Sequence, residues 1–492
     1  MLCKNYIGGK WVESNSHKTF ESINPATREV LGIVTKSDIA DVEEAVQAAR
    51  NAFKRWRAVP APRRGEILFK AGQLMQSRKE ELAQLVTQEM GKVIKEARGD
   101  VQEGIDMTFY MAGEGRRLFG HTTPAELFDK FAMSVRDPIG VVVAITPWNF
   151  PIAIPTWKIM PALVAGNTVV FKPASDTPLL ASKVVEVLEE AGLPPGVLNL
   201  IFGPGGTVGD ALVDHPGIDL VSFTGSSESG ARVSERAVKG RKRVSLELGG
   251  KNAIIVMDDA DLDLAVQGII WSAFGTTGQR CTACSRIIVH EAVERELTER
   301  LVNAIAVLRI GNGLDEKTDV GPVINESQLN KIHSYSQVGI REGAELLVGG
   351  DICTDGECAK GFFFKPTLFR NVRPDMRIAQ EEIFGPVCSM IKVGSLEEAI
   401  EVNNRTSYGL SSSIYTRDVN RAFVAARDIT TGIVYINAGT IGAEVHLPFG
   451  GTRGTGNGHR EAGQAALDIF TEWKSIYVDF SGKLQRAQID LD

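Results

Sequence analysis

Short, almost wholly apolar segments follow one another after Gly140, and they constrain the fold of this 492-residue chain more than any other feature. They occupy residues 141–145, 168–171, 197–202 and 220–223, and helix-length segments such as 179–191 separate them. Strands buried on both faces have this composition, and their alternation with helices indicates an open parallel sheet with right-handed crossovers. A nucleotide usually binds at the carboxyl ends of such strands. The sequence therefore predicts an α/β fold with a Rossmann-like domain.

A second α/β domain is predicted to follow Lys251. An apolar run at 253–257 precedes a helix from about Asp261, and a strand at 286–289 precedes a helix after Glu291. Because no internal repeat or low-complexity linker separates the domains, motifs alone place the boundary near residue 250.

Local patterns define further elements at the two ends of the chain. Asp41 and Glu44 form a capping-box pattern ahead of apolar residues at helical spacing, which predicts a helical layer in the first 120 residues. Residues 131–135 and 475–480 alternate apolar and polar side chains like half-buried strands, and either could pair with another subunit.

Charge and cysteine content exclude several classes of partner. The net charge of −7 is spread over interspersed acids and bases, so we expect neither nucleic acid nor an anionic membrane as a partner. Six cysteines are too sparse for a disulfide framework and form no paired zinc-ligand clusters, so we expect no metal and a reducing compartment. The N-terminus lacks the apolar core of a signal peptide, which favours the cytoplasm.

Cys281 is the first candidate catalytic residue. It follows a turn of small residues at 276–279, where a thiol could be exposed and its pKa lowered by backbone amides. A buried bystander is one alternative, and a redox disulfide with Cys284 three residues later is another.

Glu247 and Asn149 each follow an apolar strand. Glu247 precedes two glycines, and a partly desolvated carboxylate there would have a raised pKa suited to a general base. Asn149 stands between Pro147 and Pro151, where a rigid amide could stabilise an oxyanion. An ion-paired glutamate and a loop asparagine that satisfies its own backbone are the alternatives.

Two glycine-containing strand exits are candidates for phosphate binding. Gly225 and Ser226 lead from a strand into a helix, where free amides and the helix dipole favour an anion. Gly203 opens a second glycine-rich turn, although such a pattern also serves ordinary turns.

Taken together, these segments resemble the aldehyde dehydrogenase superfamily along almost the whole chain, from residues 6–11 to the glycine-rich C-terminal segment. Seven motifs match in the family's order: TPWNFP, GNTVVFKPAS, FTGSSESG, ELGGKN, GQRCTA, EEIFGPV and PFGGTRGTGNG. The resemblance implies NAD(P)-dependent oxidation of an aldehyde to a carboxylic acid through a cysteine thioester. It also implies a dinucleotide-binding domain of residues 1–117 and 139–250, and a catalytic domain of residues 251–452. A small β oligomerisation element of residues 118–138 and 470–492 would form homodimers or homotetramers.

The resemblance assigns a role to each matching position. It makes Cys281 the nucleophile, Glu247 the base that activates water, and Asn149 part of the oxyanion hole with the Cys281 amide. Glu247 favours the hydrolytic branch, because relatives that acylate coenzyme A generally lack it. The implied cofactor residues are Lys172 and Ser175 at the adenosine ribose, Ser226 and Trp148 near the phosphates, and Glu382 and Phe384 at the nicotinamide end. Gly203 and Gly225, at the two glycine-containing strand exits, complete the predicted cofactor site. The implied aldehyde channel is lined by Phe150, Trp157 and Phe449.

Departures from the family's commonest pattern bear on specificity. Strictly NAD-preferring relatives often have a glutamate where Ser175 stands, so the cofactor is predicted to be NADP or NAD. Relatives specific for succinate semialdehyde often have an arginine where Trp157 stands, which counts against that substrate. Arg280 or His446 could still meet the carboxylate of a longer semialdehyde such as 2-oxoglutarate semialdehyde. A coenzyme A-acylating enzyme and an inactive binding protein of the same fold are the competing hypotheses.

Overall fold

The computed structural model describes residues 2–486 and 488–489. Its helices, in chain order, are α1 (Ile39–Trp56), α2 (Ala61–Ser77), α3 (Lys79–Met90), α4 (Ile94–Glu114), α5 (Ala153–Ala165), α6 (Pro178–Glu190), α7 (Asp210–Asp214), α8 (Ser227–Lys239), α9 (Leu262–Phe274), α10 (Glu294–Ala306), α11 (Glu326–Arg341), α12 (Arg377–Gln380), α13 (Leu396–Asn404), α14 (Val419–Asp428) and α15 (Ala465–Phe470).

Its strands, in chain order, are β1 (Leu2–Cys3), β2 (Asn5–Ile7), β3 (Lys10–Val12), β4 (Lys18–Ile23), β5 (Val30–Lys36), β6 (His121–Pro124), β7 (Lys130–Pro138), β8 (Val141–Ile145), β9 (Thr168–Lys172), β10 (Leu198–Leu200), β11 (Leu220–Thr224), β12 (Arg243–Glu247), β13 (Asn252–Val256), β14 (Cys284–His290), β15 (Glu345–Val348), β16 (Thr367–Arg370), β17 (Val387–Val393), β18 (Ser411–Tyr415), β19 (Ile433–Ile436) and β20 (Thr471–Asp479).

The first of two seven-stranded sheets has the order β12-β11-β8-β9-β10-β2-β3. Strands β8 to β12 are parallel, and β2 and β3 join antiparallel at one edge. The chain places β9 and β10 on one side of β8, then returns to place β11 and β12 on the other side. The carboxyl ends of β8 and β11 therefore flank a topological switch point, where ligands of open α/β sheets bind.

Helices cover both faces of this sheet, which explains why its strands are apolar throughout. Val142 and Ala144 pack into a core with residues of α4 and α5, whereas Val141 and Val143 pack into a second core with residues of α1. Because successive side chains of a strand point to opposite faces, both sets must be apolar.

The second seven-stranded sheet has the order β15-β16-β17-β14-β13-β18-β19 and is parallel apart from the β15 and β16 pair. Its central strand β13 divides its side chains between two cores, with Ile254 and Val256 on one face and Ile255 on the other. The predicted α/β fold class is confirmed.

A three-stranded antiparallel sheet of order β20-β7-β6 joins two distant parts of the chain. Ser475 of β20 lies opposite Ser134 of β7, so the two strands expected at the ends of the chain pair with each other within one molecule. A further small sheet has the order β1-β5-β4. Among the described residues, no helix is long and apolar enough to cross a membrane.

Candidate active site

Two cavities meet at the junction of the two large sheets. The larger, of about 320 Å³, lies at the switch point between β8 and β11 and reaches α11 and the segment after α12. The smaller, of about 120 Å³, lies beyond it and reaches α4, α5 and the C-terminal loop before α15. Cys281 lines both cavities. The structure therefore places this thiol where contents of the two cavities would meet.

The larger cavity collects several of the predicted cofactor residues. The carboxyl end of β8 supplies Trp148 and Asn149, and the carboxyl end of β11 supplies Gly225 and Ser226. Ser226 is the N-cap of α8 and accepts a hydrogen bond from Ser229 N at 3.3 Å. A helix N-terminus at the rim of a cleft is a suitable place for a phosphate.

The opposite wall of the larger cavity carries Glu382 and Phe384. Glu382 Oε1 accepts a hydrogen bond from Gly250 N at 2.8 Å. Phe384 has a φ of 60°, and its ring meets Trp148 edge-on with centroids 5.5 Å apart. Gln328 of α11 holds this left-handed residue in place, because its Nε2 donates to Ile383 O at 3.0 Å and Phe384 O at 2.8 Å.

Lys172, Ser175 and Gly203 lie outside the lining of this cavity, near the ends of β9 and β10. Lys172 Nζ donates to Pro173 O at 2.8 Å, and burial lowers the pKa of Lys172 to about 8. Ser175 is exposed. A side chain at Gly203 would meet Val208 at 2.5 Å, which explains the glycine.

The turn before Cys281 has an unusual backbone. Thr276 and Thr277 have φ values of 52° and 57°, a left-handed conformation that is costly for β-branched residues. Glu96 of α4 stabilises it by accepting hydrogen bonds from Thr276 N at 2.7 Å and Thr276 Oγ1 at 3.1 Å. Arg280 Nη2 donates to the same carboxylate at 3.0 Å. One buried glutamate thus positions the residues on either side of the turn.

The thiol of Cys281 is half-buried, but its pKa differs from the sequence-based expectation. Burial, and to a smaller extent the carboxylates of Glu247 and Glu382, raise the pKa to about 12, although the Thr282 amide lowers it in part. The prediction of a lowered pKa was wrong, because burial and carboxylates from distant segments outweigh the backbone amide. Cys281 is therefore protonated at neutral pH until a base removes its proton.

Glu247 ends β12 and lines the smaller cavity with Cys281. It is 3% exposed, and within the described part of the chain neither of its carboxylate oxygens has a hydrogen-bond partner. Burial and the neighbouring carboxylate of Glu461 raise its pKa well above the usual value, whereas Lys158 opposes the shift. The direction agrees with the sequence prediction for a desolvated carboxyl group.

Asn149 is 3% exposed, and its Nδ2 donates to Gln279 O at 3.0 Å. An amide nitrogen carries two hydrogens, so this bond orients the group and leaves one donor free. Because Asn149 and Cys281 line the same cavity, that donor is available beside the thiol.

Aromatic side chains form much of the smaller cavity. Phe150, Trp157 and Phe449 line it, and the rings of Trp157 and Phe449 are 5.0 Å apart and nearly perpendicular. Arg280 lines the same cavity, with its guanidinium carbon 5.4 Å from the centroid of Phe150. His446, in contrast, is exposed, pairs with Glu444 at 3.4 Å and does not line this cavity.

The suggested disulfide partner of Cys281 packs elsewhere. Cys284 is 1% exposed and lies in the core of the second sheet with Cys388. Its Sγ donates to Arg286 O at 3.3 Å. The structure therefore favours a packing role for Cys284 over a redox role with Cys281.

Sequence reasoning missed several charged residues around the cavities. Lys158 contacts Ser222 and Glu461, and it stands in α5 among almost entirely apolar residues. A lone lysine in such a helix signals a buried, paired charge, so this one could have been found. Glu103, Glu96 and Lys92 belong to ordinary-looking polar segments and give no such signal. Among the described residues, no group of three or more histidine, cysteine or acidic side chains could hold a metal ion.

This α/β architecture, with a nucleotide-type cleft opening onto an aromatic cavity at a cysteine, defines a cofactor-dependent oxidoreductase. The chain belongs to the aldehyde dehydrogenase family, whose family model matches residues 11–476. Its activity is accordingly the oxidation of an aldehyde with NAD or NADP.

Similar proteins cover nearly the whole chain. It is 44% identical to the alpha-ketoglutaric semialdehyde dehydrogenase of Bacillus subtilis over 475 residues, which are 96% of this chain and 97% of that protein. It is 45% identical to the alpha-ketoglutarate semialdehyde dehydrogenase of Haloferax volcanii, covering 96% and 98% of the two chains. A crystal structure of betaine aldehyde dehydrogenase from Staphylococcus aureus in complex with NAD+ is 36% identical with a TM-score of 0.96, covering 98% of this chain and 96% of that one.

Proposed function

We propose that this chain oxidises an aldehyde with a distal carboxylate, in particular 2-oxoglutarate semialdehyde, to the acid by the hydrolytic route. The observation that carries the proposal is Arg280 in the aromatic cavity that Cys281 borders. The names of the similar proteins from Bacillus subtilis and Haloferax volcanii support the same substrate. Trp157 adds a buried indole N–H with no hydrogen-bond partner among the described residues, which is a second donor for an oxygen-rich tail.

Cys281 begins the chemistry by attacking the aldehyde carbonyl carbon. A carbon–sulfur bond forms, the thiol proton passes to a base, and the carbonyl oxygen becomes an oxyanion. The free amide hydrogen of Asn149 and the backbone amide of Cys281 stabilise that oxyanion. The nicotinamide of a bound cofactor would supply the acceptor for the hydride that leaves this carbon. The carbonyl then re-forms as a thioester on Cys281.

Glu247 completes the reaction as the base for water. It takes one proton from a water molecule that attacks the thioester, the carbon–sulfur bond breaks, and the acid leaves. A carboxylate with a raised pKa is a stronger base than an ordinary glutamate, and the absence of competing hydrogen bonds leaves both oxygens free for water. We therefore place the chain in the hydrolytic branch.

The chain's own residues fit a dinucleotide. Gly225, Ser226 and Trp148 would hold the phosphates at the N-terminus of α8, and Lys172 with the turn after Gly203 would hold the adenosine ribose. Glu382 and Phe384 would hold the nicotinamide ribose and ring. Gly249 fits this assignment, because any side chain there would meet the Glu382 carboxylate at 2.4 Å and close the cleft. Exposed Ser175 leaves room for the extra phosphate of NADP.

We propose that the three structural parts have different functions. We assign residues 1–117 and 139–250, which supply the first sheet, to cofactor binding, and residues 251–452, which supply the second sheet, to catalysis. Residues 118–138 and 470–492 are proposed to join subunits into dimers or tetramers. Residues 487 and 490–492 of that segment lie outside the described residues. The cytoplasmic location stays a prediction.

The test is a comparison of aldehydes with and without a carboxylate. We expect kcat/KM for 2-oxoglutarate and glutarate semialdehydes to exceed that for pentanal. Arg280→Gln should lower this ratio of kcat/KM values by about 10- to 100-fold, which is the effect of losing one charge-assisted hydrogen-bonded pair. His446→Gln is the matched control, since His446 is exposed and outside the cavity. A wild-type preference for pentanal would contradict the substrate class. Acyl-coenzyme A as the product, when coenzyme A is present, would contradict the hydrolytic branch.

A further inference from the structure

Glu103 of α4 is a carboxyl group in the smaller cavity that the mechanism does not use. It lines the cavity together with Phe150, Arg280 and Cys281. Among the described residues, it forms neither a hydrogen bond nor an ion pair. A carboxyl group in this lining is accessible to a substrate that occupies the cavity at Cys281.

The positive charges around this cavity each contact an acid, whereas Glu247 in its lining is unpaired among the described residues. Lys92 contacts Asp100 at 3.0 Å, and Arg280 contacts Glu96 at 3.0 Å. Lys158 contacts Glu461 in the same way. Because each positive charge is already matched, the net charge that a substrate tail meets depends on the protonation states of Glu103 and of Glu247, the base of the proposed mechanism.

We propose that Glu103 is a specificity-determining residue that admits anionic aldehydes while it is protonated and excludes them when it is ionised. The inference rests on the proposed function, because it assumes that Arg280 binds the carboxylate of a semialdehyde. Protonated Glu103 is a neutral hydrogen-bond donor beside that carboxylate. Ionised Glu103 adds one negative charge within the same cavity and repels the substrate.

Groups from several elements act on Glu103. Its pKa is raised to about 8, chiefly by burial and to a smaller extent by Asp100 and Asp106 on its own helix. Lys92 from the preceding segment and Arg280 from the Cys281 turn oppose the shift. The remaining titratable groups on this side are Cys281, Glu247, Glu461, and Tyr435 of β19. Since the pKa is raised, the acid is mostly protonated at pH 7 and ionises as the pH rises through about 8.

The experiment compares an anionic and a neutral aldehyde across pH. The probes are glutarate semialdehyde and pentanal, and the readout is the ratio of their kcat/KM values from pH 7 to 9.5. Cofactor binding, ionisation of Cys281 and deacylation affect both substrates, so they cancel in the ratio. For a single group with a pKa of about 8, we expect the ratio to fall with pH by up to about 30-fold.

Two variants make the assignment specific. Glu103→Gln keeps the shape of the side chain but cannot ionise, so its ratio should stay level across this pH range. Asp106→Asn is the matched control on the same helix, because Asp106 is exposed and, among the described residues, its side chain bonds only to Gln102. The wild-type fall should remain, with a slightly lower midpoint because Asp106 no longer raises the pKa of Glu103.

A level ratio in the wild-type enzyme, or the same fall in Glu103→Gln, would overturn the role of Glu103. Either result is distinct from failure of the proposed function, in which pentanal would be preferred to glutarate semialdehyde already at pH 7. Circular dichroism of each variant at both pH limits separates these outcomes from unfolding.

Discussion

The charged groups that raise the pKa of Cys281 are carboxylates. Burial together with the nearby carboxylates of Glu247 and Glu382 raises the pKa of its thiol to about 12. A protonated thiol is a poor nucleophile and reacts slowly with oxidants. This environment therefore keeps the Cys281 thiol protonated and unreactive until a base removes its proton.

We predict that the enzyme accepts NADP at least as well as NAD, because Ser175 offers space and no negative charge beside Lys172. Replacing Ser175 with glutamate should shift the ratio of kcat/KM for the two cofactors toward NAD by about 10-fold or more, the effect of a like charge facing a phosphate. Steady-state kinetics with each cofactor measure both values.

The neighbouring Asp176 provides a control for that prediction. Burial raises its pKa, and it accepts a hydrogen bond from Asn325 Nδ2 at 2.9 Å. If the wild-type enzyme uses NAD alone and Asp176→Asn gains activity with NADP, then Asp176 excludes the extra phosphate. The prediction that Ser175 lets NADP bind would then be wrong.

Motifs identified the candidate residues but not their electrostatics. Cys281 and Glu247 stand in recognisable segments, and the expected rise in the pKa of Glu247 followed from its place at the end of an apolar strand. The pKa of Cys281 was predicted in the wrong direction, because it depends first on burial and then on Glu247 and Glu382, which only the fold brings close. Glu103 could not be predicted as a cavity residue, since only the packing of α4 brings it there.

The turn at Gly275–Gly278 is the most strained element of the site. Two consecutive threonines adopt left-handed backbone conformations there, each at a cost of about 1–3 kcal/mol. Hydrogen bonds from Thr276 to Glu96 offset this cost, and the side chain of Gln279 ties the same turn to Ile324 N at 3.0 Å. The rigid turn fixes the position of Cys281 between the cavities.

Removing the Glu96 carboxylate should loosen that turn. We predict that Glu96→Ala lowers kcat by about 100-fold, which is the effect of misplacing a reacting group by about 1 Å. Because Arg280 also loses its partner, KM should rise more for carboxylated aldehydes than for neutral ones. Glu80→Ala is the control, because Glu80 is a surface partner of Arg98. Normal kcat and KM for both substrate types in folded Glu96→Ala would contradict the positioning role.

Strands were easier to predict than their exact ends and partners. The apolar runs at 141–145 and 220–223 became β8 and β11, whereas the run at 197–202 forms only the short strand Leu198–Leu200. The first helix is capped by Asp38 with Asp41 in the reciprocal position, so the capping box starts three residues before the predicted one. Local patterns give no partner for β7 or β20, which lie more than 300 residues apart, whereas the family resemblance groups residues 118–138 and 470–492 in one β element.

The three-stranded sheet exposes an apolar surface that a single chain does not cover. Trp473 and Tyr477 are 49% and 67% exposed on one face of β20, Phe131 of β7 is 42% exposed on the opposite face, and Phe480, just after β20, is 65% exposed. Large exposed aromatic groups clustered on one sheet are typical of an interface between subunits.

We predict that the 53.3 kDa chain forms a dimer or tetramer through this sheet. Light scattering after gel filtration should give about two or four times the chain mass, and Tyr477→Lys should shift the distribution toward smaller species. Val238→Lys, an exposed apolar position on α8, is the control. A monomeric wild-type protein would contradict the prediction.

In the proposed mechanism, the aldehyde carbon becomes a thioester on Cys281, and Glu247 activates the water that releases the carboxylic acid. The most direct test is rapid mixing of Glu247→Gln with aldehyde and NADP, together with intact-mass spectrometry. We predict that Glu247→Gln gives a burst of about one equivalent of reduced cofactor and an acyl adduct on Cys281. Its steady-state turnover should be slowed by about 100-fold or more, because a positioned general base is lost. Cys281→Ala should show neither burst nor adduct. Near-normal steady-state turnover by Glu247→Gln, or a burst without Cys281, would contradict the account.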